Sequence, residues 1–263
     1  MSVVWNRDDF LCALENIGIE QKDVLFIHSN LGLLGAEQSG KNIAELVLDS
    51  LLHFLGQSGT LILPAFTYSH GNTEVFEKKS ASGIAKMGIL SNKAFEKGFF
   101  RSEDPMFSLL GMGPRVEDLL KIDKFNSYGE GSAFRRIIEI NSKVLSINMG
   151  AGSTLLHEME HSIGVSYRYQ KEFVCRVIDD TNRSIRNINW KAYVRKMEIA
   201  GSEASFGRLT SMFCKTDNWH SVRLGRGQIG AYELKKMENY LSREILHDEW
   251  LLTDRGSVLR DGG

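Results

Sequence analysis

No pair of cysteines in this sequence is spaced to hold zinc or to mark a disulfide framework. Cys12, Cys175 and Cys214 are odd in number and far apart, so three buried thiols are the expectation. Long apolar runs are missing as well. Nothing approaches the roughly 20 residues of a membrane span, and the stretch from Met1 to Asp9 lacks the apolar centre of a signal peptide. The chain is therefore expected in the cytoplasm, with no membrane contact. Excess charge is absent too: 32 Lys and Arg stand against 33 Asp and Glu, a net charge of −1. Such a balance offers no global field for nucleic acid and leaves a charged substrate to local groups. No repeat, low-complexity tract or linker divides the sequence, so residues 1–263 read as a single domain.

What is present is enough apolar material for a sizeable core, 42% of residues, arranged in alternating helical and strand patterns. Asn6 is placed to cap a helix through Phe10, Leu11, Leu14 and Ile17 that Gly18 closes. A buried strand, Val24-Leu-Phe-Ile27, runs into the polar loop from His28 to Gly35. Ile43, Leu46, Val47, Leu51 and Leu55 repeat at helical spacing, and Thr60-Leu-Ile-Leu63 reads as the next strand. Residues 66–86 form a long polar connection of the kind that carries ligand contacts. A helix is expected near 87–95, another capped by Ser132, and a strand at 143–148 that passes through Gly150 and Gly152 into a further helix. Beyond residue 170 come a half-exposed strand, a hairpin carrying Trp190 and Tyr193, and a last amphipathic helix starting near Gly230. The alternation implies an α/β layer structure.

The chemistry concentrates in Thr154-Leu-Leu-His157-Glu158-Met-Glu160-His161. Read as H-E-x-x-H, it is a zinc-protease helix with Glu158 as general base. Read as T-x-x-H-x-x-E, it is an acid/base centre in which Glu160 partners His157. On a helix His157 shares a face with both Glu160 and His161, so spacing alone leaves both readings open. The zinc reading lacks a third ligand, because Tyr167 stands where a histidine would complete H-E-x-x-H-x-x-G-x-x-H. Gly225-Arg-Gly227-Gln-Ile-Gly230 imitates a dinucleotide-binding turn. It lies too near the C-terminus for a Rossmann unit and reads as a flexible loop and helix start. Arg101, Ser102, Pro105 and Ser108 combine a guanidinium, hydroxyls and a fixed turn suited to a phosphate or an amide. His28 and Ser29 follow a buried strand, where a helix start would aim backbone N–H groups at an anion. His53, His70, His220 and His247 have no partner at suggestive spacing and read as surface or packing residues.

Five blocks in order resemble the aminoglycoside 3-N-acetyltransferase, or antibiotic N-acetyltransferase, family. They are Asp23-Val-Leu-Phe-Ile-His28-Ser29-Asn-Leu, Gly59-Thr-Leu-Ile-Leu-Pro64-Ala-Phe-Thr67, Arg101-Ser-Glu-Asp-Pro-Met-Phe-Ser108, Tyr128-Gly-Glu-Gly-Ser132 and Thr154-Leu-Leu-His157-Glu-Met-Glu160. The resemblance implies a three-layer α/β/α fold distinct from Gcn5-type acetyltransferases, with acetyl-CoA as donor, no metal, and a small-molecule amino sugar as acceptor. It implies His157 as general base, Glu160 as its orienting partner and Thr154 as a support. Ser29, Asn30, Leu31, Gly32, Thr67, Arg101, Ser102 and Ser108 match segments that line the family's CoA channel. Nucleic acid is not an implied partner, and a homodimer is left open.

One departure bears on the acceptor. Many aminoglycoside-modifying members read R-S-x-H-P, whereas this chain has Asp104 in R-S-E-D-P, which removes any acceptor role of that histidine. The resemblance also implies relatives that acetylate nucleotide-linked amino sugars for surface polysaccharides, and near-neutral charge with Arg208, Lys215, Arg223 and Arg226 in 201–228 leans towards such a nucleotide-linked 3-amino-deoxysugar. An aminoglycoside is the alternative acceptor.

Overall fold

The computed structural model describes residues 4–68, 74–81 and 84–255. The chain opens with helix α1 (Arg7–Asn16), whose start is fixed by Asn6 and Asp9 in a reciprocal capping box. Strand β1 (Val24–Ser29) follows, then a 3-10 turn at Leu31–Leu34, helix α2 (Ile43–Leu55) capped by Asn42, and strand β2 (Thr60–Pro64). The long connection after β2 contains strand β3 (Val75–Phe76) and a 3-10 turn at Ile84–Met87. Helix α3 (Ile89–Glu96), strands β4 (Phe100–Arg101) and β5 (Leu109–Met112), and helices α4 (Val116–Leu120) and α5 (Ala133–Glu139) come next. Ser132 caps α5 by accepting from the Arg135 amide. Strand β6 (Lys143–Ile147) leads to helix α6 (Leu156–Ile163), followed by the long strands β7 (Arg168–Ile178) and β8 (Ile185–Arg195). Helix α7 (Gly207–Phe213), strands β9 (His220–Leu224) and β10 (Gly227–Glu233) and helix α8 (Leu234–His247) complete the order.

Seven strands form one sheet in the order β4-β5-β2-β1-β6-β10-β9. Its centre, β2-β1-β6, is parallel, and the strands outside it pair antiparallel. The central strands are apolar on both faces because helices cover both, which explains why they read as continuous hydrophobic runs. Phe26 and Val144 point into one cluster with Leu155, Leu156 and Met159 of the α6 region and with Met237 and Leu241 of α8. Leu25, Ile27, Leu145 and Ile147 point into the other, with α1, α2 and α3. The result is the three-layer α/β/α arrangement. A second sheet, β3-β7-β8, is dominated by the antiparallel pairing of β7 with β8 from Arg168↔Arg195 to Ile178↔Ile185.

The structure corrects two expectations here. The last helix begins at Leu234, because residues 227–233 form β10. Gly225 turns the β9–β10 hairpin at φ 59°, where an added Cβ would lie 2.2 Å from the Leu34 carbonyl oxygen. Gly230 lies against the Trp219 ring, 2.2 Å from where its Cβ would be. These glycines are required by packing. Of the three thiols only Cys175 is fully buried; Cys12 is on the outer side of α1 and exposed. His53, His220 and His247 are exposed, and His70 lies outside the described residues.

Candidate active site

A cleft opens where the carboxyl ends of the parallel strands converge, the position at which open α/β sheets bind ligands. β1 contributes Ile27, His28 and Ser29, β2 contributes Leu63 and Pro64, and the turn after β6 contributes Met149 and Thr154. Phe66, Tyr68, Met87 and Ser91 close the remaining wall. The cavity, of about 210 Å³, has a mixed lining in which apolar side chains stand beside hydroxyl and imidazole groups.

The turn into α6 delivers the catalytic candidates. Asn148 and Gly150 adopt left-handed conformations, Ser153 accepts from the Leu155 amide, and the His157 amide bonds the Thr154 carbonyl at 3.1 Å. Leu156 and Met159 fasten the helix to the core while His157 and Glu160, one turn apart, emerge together. The Nδ1 of His157 lies 2.5 Å from Oε2 of the fully buried Glu160. Gly164 then ends the helix in the left-handed region, so the chain doubles back and starts β7 over the site. That return brings Tyr167, whose hydroxyl donates to Oε1 of Glu160. It also brings Arg168, whose Nε forms an ion pair with Oε2 at 2.8 Å. The Nη2 of Arg168 stands 3.4 Å from Nε2 of His157. The imidazole is framed by Phe206 and Tyr128, with ring centroids 5.8 and 6.5 Å away.

These contacts define a protonation state. Burial pushes the His157 pKa below the usual imidazole value, and Arg168 adds to the depression against the opposing pull of Glu160. Burial alone would raise Glu160, but His157, Arg168 and Tyr167 together hold its carboxyl below the ordinary range. The resting pair is a neutral imidazole beside a carboxylate. With Nδ1 donating to Glu160, the lone pair of Nε2 is available to accept a proton.

The metal reading fails on geometry. Nδ1 of His157 is committed to Glu160 and Nε2 faces a guanidinium, an unfavourable neighbour for a cation. His161 stands edge-on to Tyr193, and Tyr167 is bonded to Glu160. Glu158 turns the other way, fully buried, and accepts the Gly129 amide at 2.6 Å. Among the described residues no three of His, Cys, Asp and Glu are grouped to hold a metal ion.

The residues expected on the donor side divide into two groups. Ser29 lines the cleft, and Asn30, Leu31 and Gly32 continue from it; Asn148 pins this turn by donating to the Asn30 carbonyl at 3.0 Å. Thr67, Arg101, Ser102 and Ser108 are instead buried behind the cleft wall. Arg101 donates to Ser108 Oγ at 3.1 Å and to the Ser80 carbonyl at 2.7 Å, and Ser108 donates to the Ala65 carbonyl at 2.6 Å. Ser102 accepts the Leu109 amide and Thr67 donates to the Pro105 carbonyl. Asp104 is buried with them, accepting the Met106 and Phe107 amides at 2.9 and 2.8 Å. The sequence missed Arg168 altogether and weighed Tyr167 only as a failed ligand. The signal for both was Tyr-Arg at the start of a strand, shortly after a glycine-ended helix.

The model of the family described as aminoglycoside 3-N-acetyltransferase matches residues 26–245, and the chain belongs to that family. Aminoglycoside N(3)-acetyltransferase IV of Salmonella sp is 22% identical over 182 residues, a stretch covering 68% of this chain and 67% of that relative. Aminoglycoside N(3)-acetyltransferase III of Salmonella sp is 26% identical over 167 residues, 56% of this chain and 57% of the relative. Among solved structures, aminoglycoside acetyltransferase AAC(3)-IVa as apoenzyme superposes with a TM-score of 0.75 at 18% identity, covering 96% of this chain and 92% of its own. AAC-IIIb in binary complex with CoASH gives 0.76 at 18% identity, covering 92% and 96%. No helix among the described residues is long and apolar enough to cross a membrane.

Proposed function

We propose that this protein is an acetyl-CoA-dependent N-acetyltransferase that acts on the 3-amino group of an aminoglycoside by direct transfer, with His157 as general base. The observation that carries the reading is the His157 imidazole with its pKa lowered by burial, its Nδ1 on buried Glu160 and its Nε2 held only by a long contact to Arg168. Family membership supports the donor and the acceptor class, as do relatives solved with CoASH and with gentamicin. The sequence argument for a nucleotide-linked sugar rested on the near-neutral charge, on Asp104 and on four cations in 201–228, and three of those cations, Arg208, Arg223 and Arg226, lie apart. Arg208 is paired with Asp248 at 2.5 Å, Arg223 lies beside Trp5 and Asp9, and Arg226 covers Gly35. A phosphate cradle needs clustered donors, so the aminoglycoside is the better-supported acceptor.

In the reaction, the acceptor amine displaces the long Arg168 contact and presents its proton to Nε2 as its nitrogen attacks the thioester carbonyl. Glu160 stabilises the imidazolium that forms, and His157 returns the proton to the leaving thiolate. Ser29 and the 30–32 turn hold the donor, and Thr154 supports the reacting carbonyl. Thr67, Arg101, Ser102 and Ser108 act indirectly, by fixing residues 64–67 as a wall.

The test is thiol release from acetyl-CoA against aminoglycosides bearing or lacking the 3-amino group, alongside nucleotide-linked amino sugars. Release only with 3-amino aminoglycosides is expected, and His157→Ala should lower kcat by about 10²–10⁴-fold. Release with neither panel would remove the assignment, and release with the nucleotide panel alone would move it to the other acceptor.

A further inference from the structure

His28, a residue lining the cleft, carries a buried nitrogen with no hydrogen-bond partner among the described residues. It is the penultimate residue of β1, paired with Ser146 of β6. Side chains alternate along a strand, so His28 leaves the sheet on the same side as Phe26, the side covered by α6. Its ring stacks on Phe26 with centroids 6.0 Å apart and planes inclined by 22°. Its Nε2 is sealed from solvent and has no hydrogen-bond partner among the described residues. Other buried side-chain atoms are unpartnered, including Tyr128 Oη and Trp5 Nε1, but of those only His28 Nε2 belongs to a residue lining the cleft. A buried polar atom left unpaired costs free energy, and a ligand that supplies the missing partner recovers it. The same cleft includes Thr154, whose carbonyl holds the His157 amide, so it reaches the turn that carries the base.

We propose that His28 is a further catalytic residue, a neutral imidazole whose Nε2–H, turned into the cleft when the donor binds, donates to the thioester carbonyl oxygen while negative charge develops there. The proposal rests on the acetyl-transfer reading. As the amine nitrogen forms its bond to the carbonyl carbon, the carbonyl π pair moves to oxygen and the amine proton goes to Nε2 of His157. Collapse of the tetrahedral intermediate restores the C=O bond, breaks the C–S bond and releases the thiolate, which takes that proton. His28 keeps its own proton throughout and acts by charge stabilisation alone. Burial supports the neutral form, since it lowers the His28 pKa to about 4, so the ring does not titrate near neutral pH. A neutral imidazole used as an electrophilic donor is an established catalytic device.

The experiment compares wild type with His28→Phe and His28→Gln by three measurements: steady-state kinetics, calorimetric affinity for CoA, and the infrared carbonyl stretch of acetyl-CoA bound without acceptor. In wild type the bound carbonyl should absorb below its frequency in free solution. His28→Phe should return it towards the free value and lower kcat by about 10²–10³-fold, with CoA affinity unchanged because CoA has no acyl carbonyl. His28→Gln, which keeps a neutral N–H donor, should recover part of the rate. An unshifted stretch in wild type, a fully active His28→Phe, or an equal loss of CoA affinity would each overturn the proposal. Absence of wild-type turnover would instead count against the acetyl-transfer reading, which keeps the two failures distinct.

Discussion

Arg168 adds to the effect of burial in lowering the pKa of His157, the proposed base. Its guanidinium meets both partners, at 2.8 Å from Glu160 and 3.4 Å from the His157 ring. The groups facing His157 are Glu160 on its own helix, Arg168 from β7, and Tyr128 and Phe206 from the flanking loops, with Tyr167 and Tyr193 beyond the carboxylate. A cation near Nε2 disfavours the imidazolium, so removing it raises the His157 pKa. In Arg168→Met the acid limb of the kcat/KM profile should therefore move to higher pH, with activity partly recovered in alkaline buffer, while Arg168→Lys stays close to wild type. A loss of rate with no movement of the limb would reduce Arg168 to a packing residue. The sequence made His157 and Glu160 legible because three-residue spacing places them on one helical face. Arg168 was invisible because its role depends on where Gly164 sends the chain.

Among the elements, those with local stop and start chemistry were readable. Asn6 and Ser132, both expected as caps, accept from nearby amides at their helix starts, and such bonds are written into a few adjacent residues; Asn42 caps α2 in the same way but was not singled out. The short helix α4 escaped the sequence reading. The sheet order β2-β1-β6 was also out of reach, since buried strands carry no alternation that distinguishes their neighbours. The C-terminal glycines were misread for a related reason: what they accommodate, the Leu34 carbonyl and the Trp219 ring, comes from a distant turn and from the segment before β9. Gly230→Ala places a methyl group against a rigid indole and should cost about 1–3 kcal/mol in denaturant unfolding. Affinity for CoA should be unaffected at ligand saturation. A stable variant that binds CoA poorly would return this segment to the ligand site.

At the scale of the whole molecule, stability should carry the mark of Glu158. Burial raises its carboxyl to about 7, against a bonded Gly129 amide and the field of Arg135 that pull the other way. A carboxyl whose folded pKa lies above its unfolded value binds more protons in the native state. Its stabilising contribution is complete below the unfolded value and is lost as pH rises through about 7. The buried histidines His28, His157 and His161 act in the opposite sense over an overlapping range, so the informative quantity is the difference between wild type and Glu158→Gln. That difference should shift in favour of the variant by about 2–3 kcal/mol between pH 5 and pH 8, as measured by unfolding at each pH. A constant difference would mean that the carboxyl is not held protonated by the fold. Activity at neutral pH should survive the substitution, since Glu158 faces away from the base.

The helix end at Gly164 has a consequence for inheritance. By folding β7 back over α6, it confines the proposed base, its carboxylate partner and the two groups from β7 and its approach that hold the carboxylate to residues 157–168. Proton handling is thereby encoded as one short word, T-x-x-H-x-x-E followed after six intervening residues by Y-R. A search of other chains for that word, followed by assay of those that carry it, would test whether the arrangement travels as a unit.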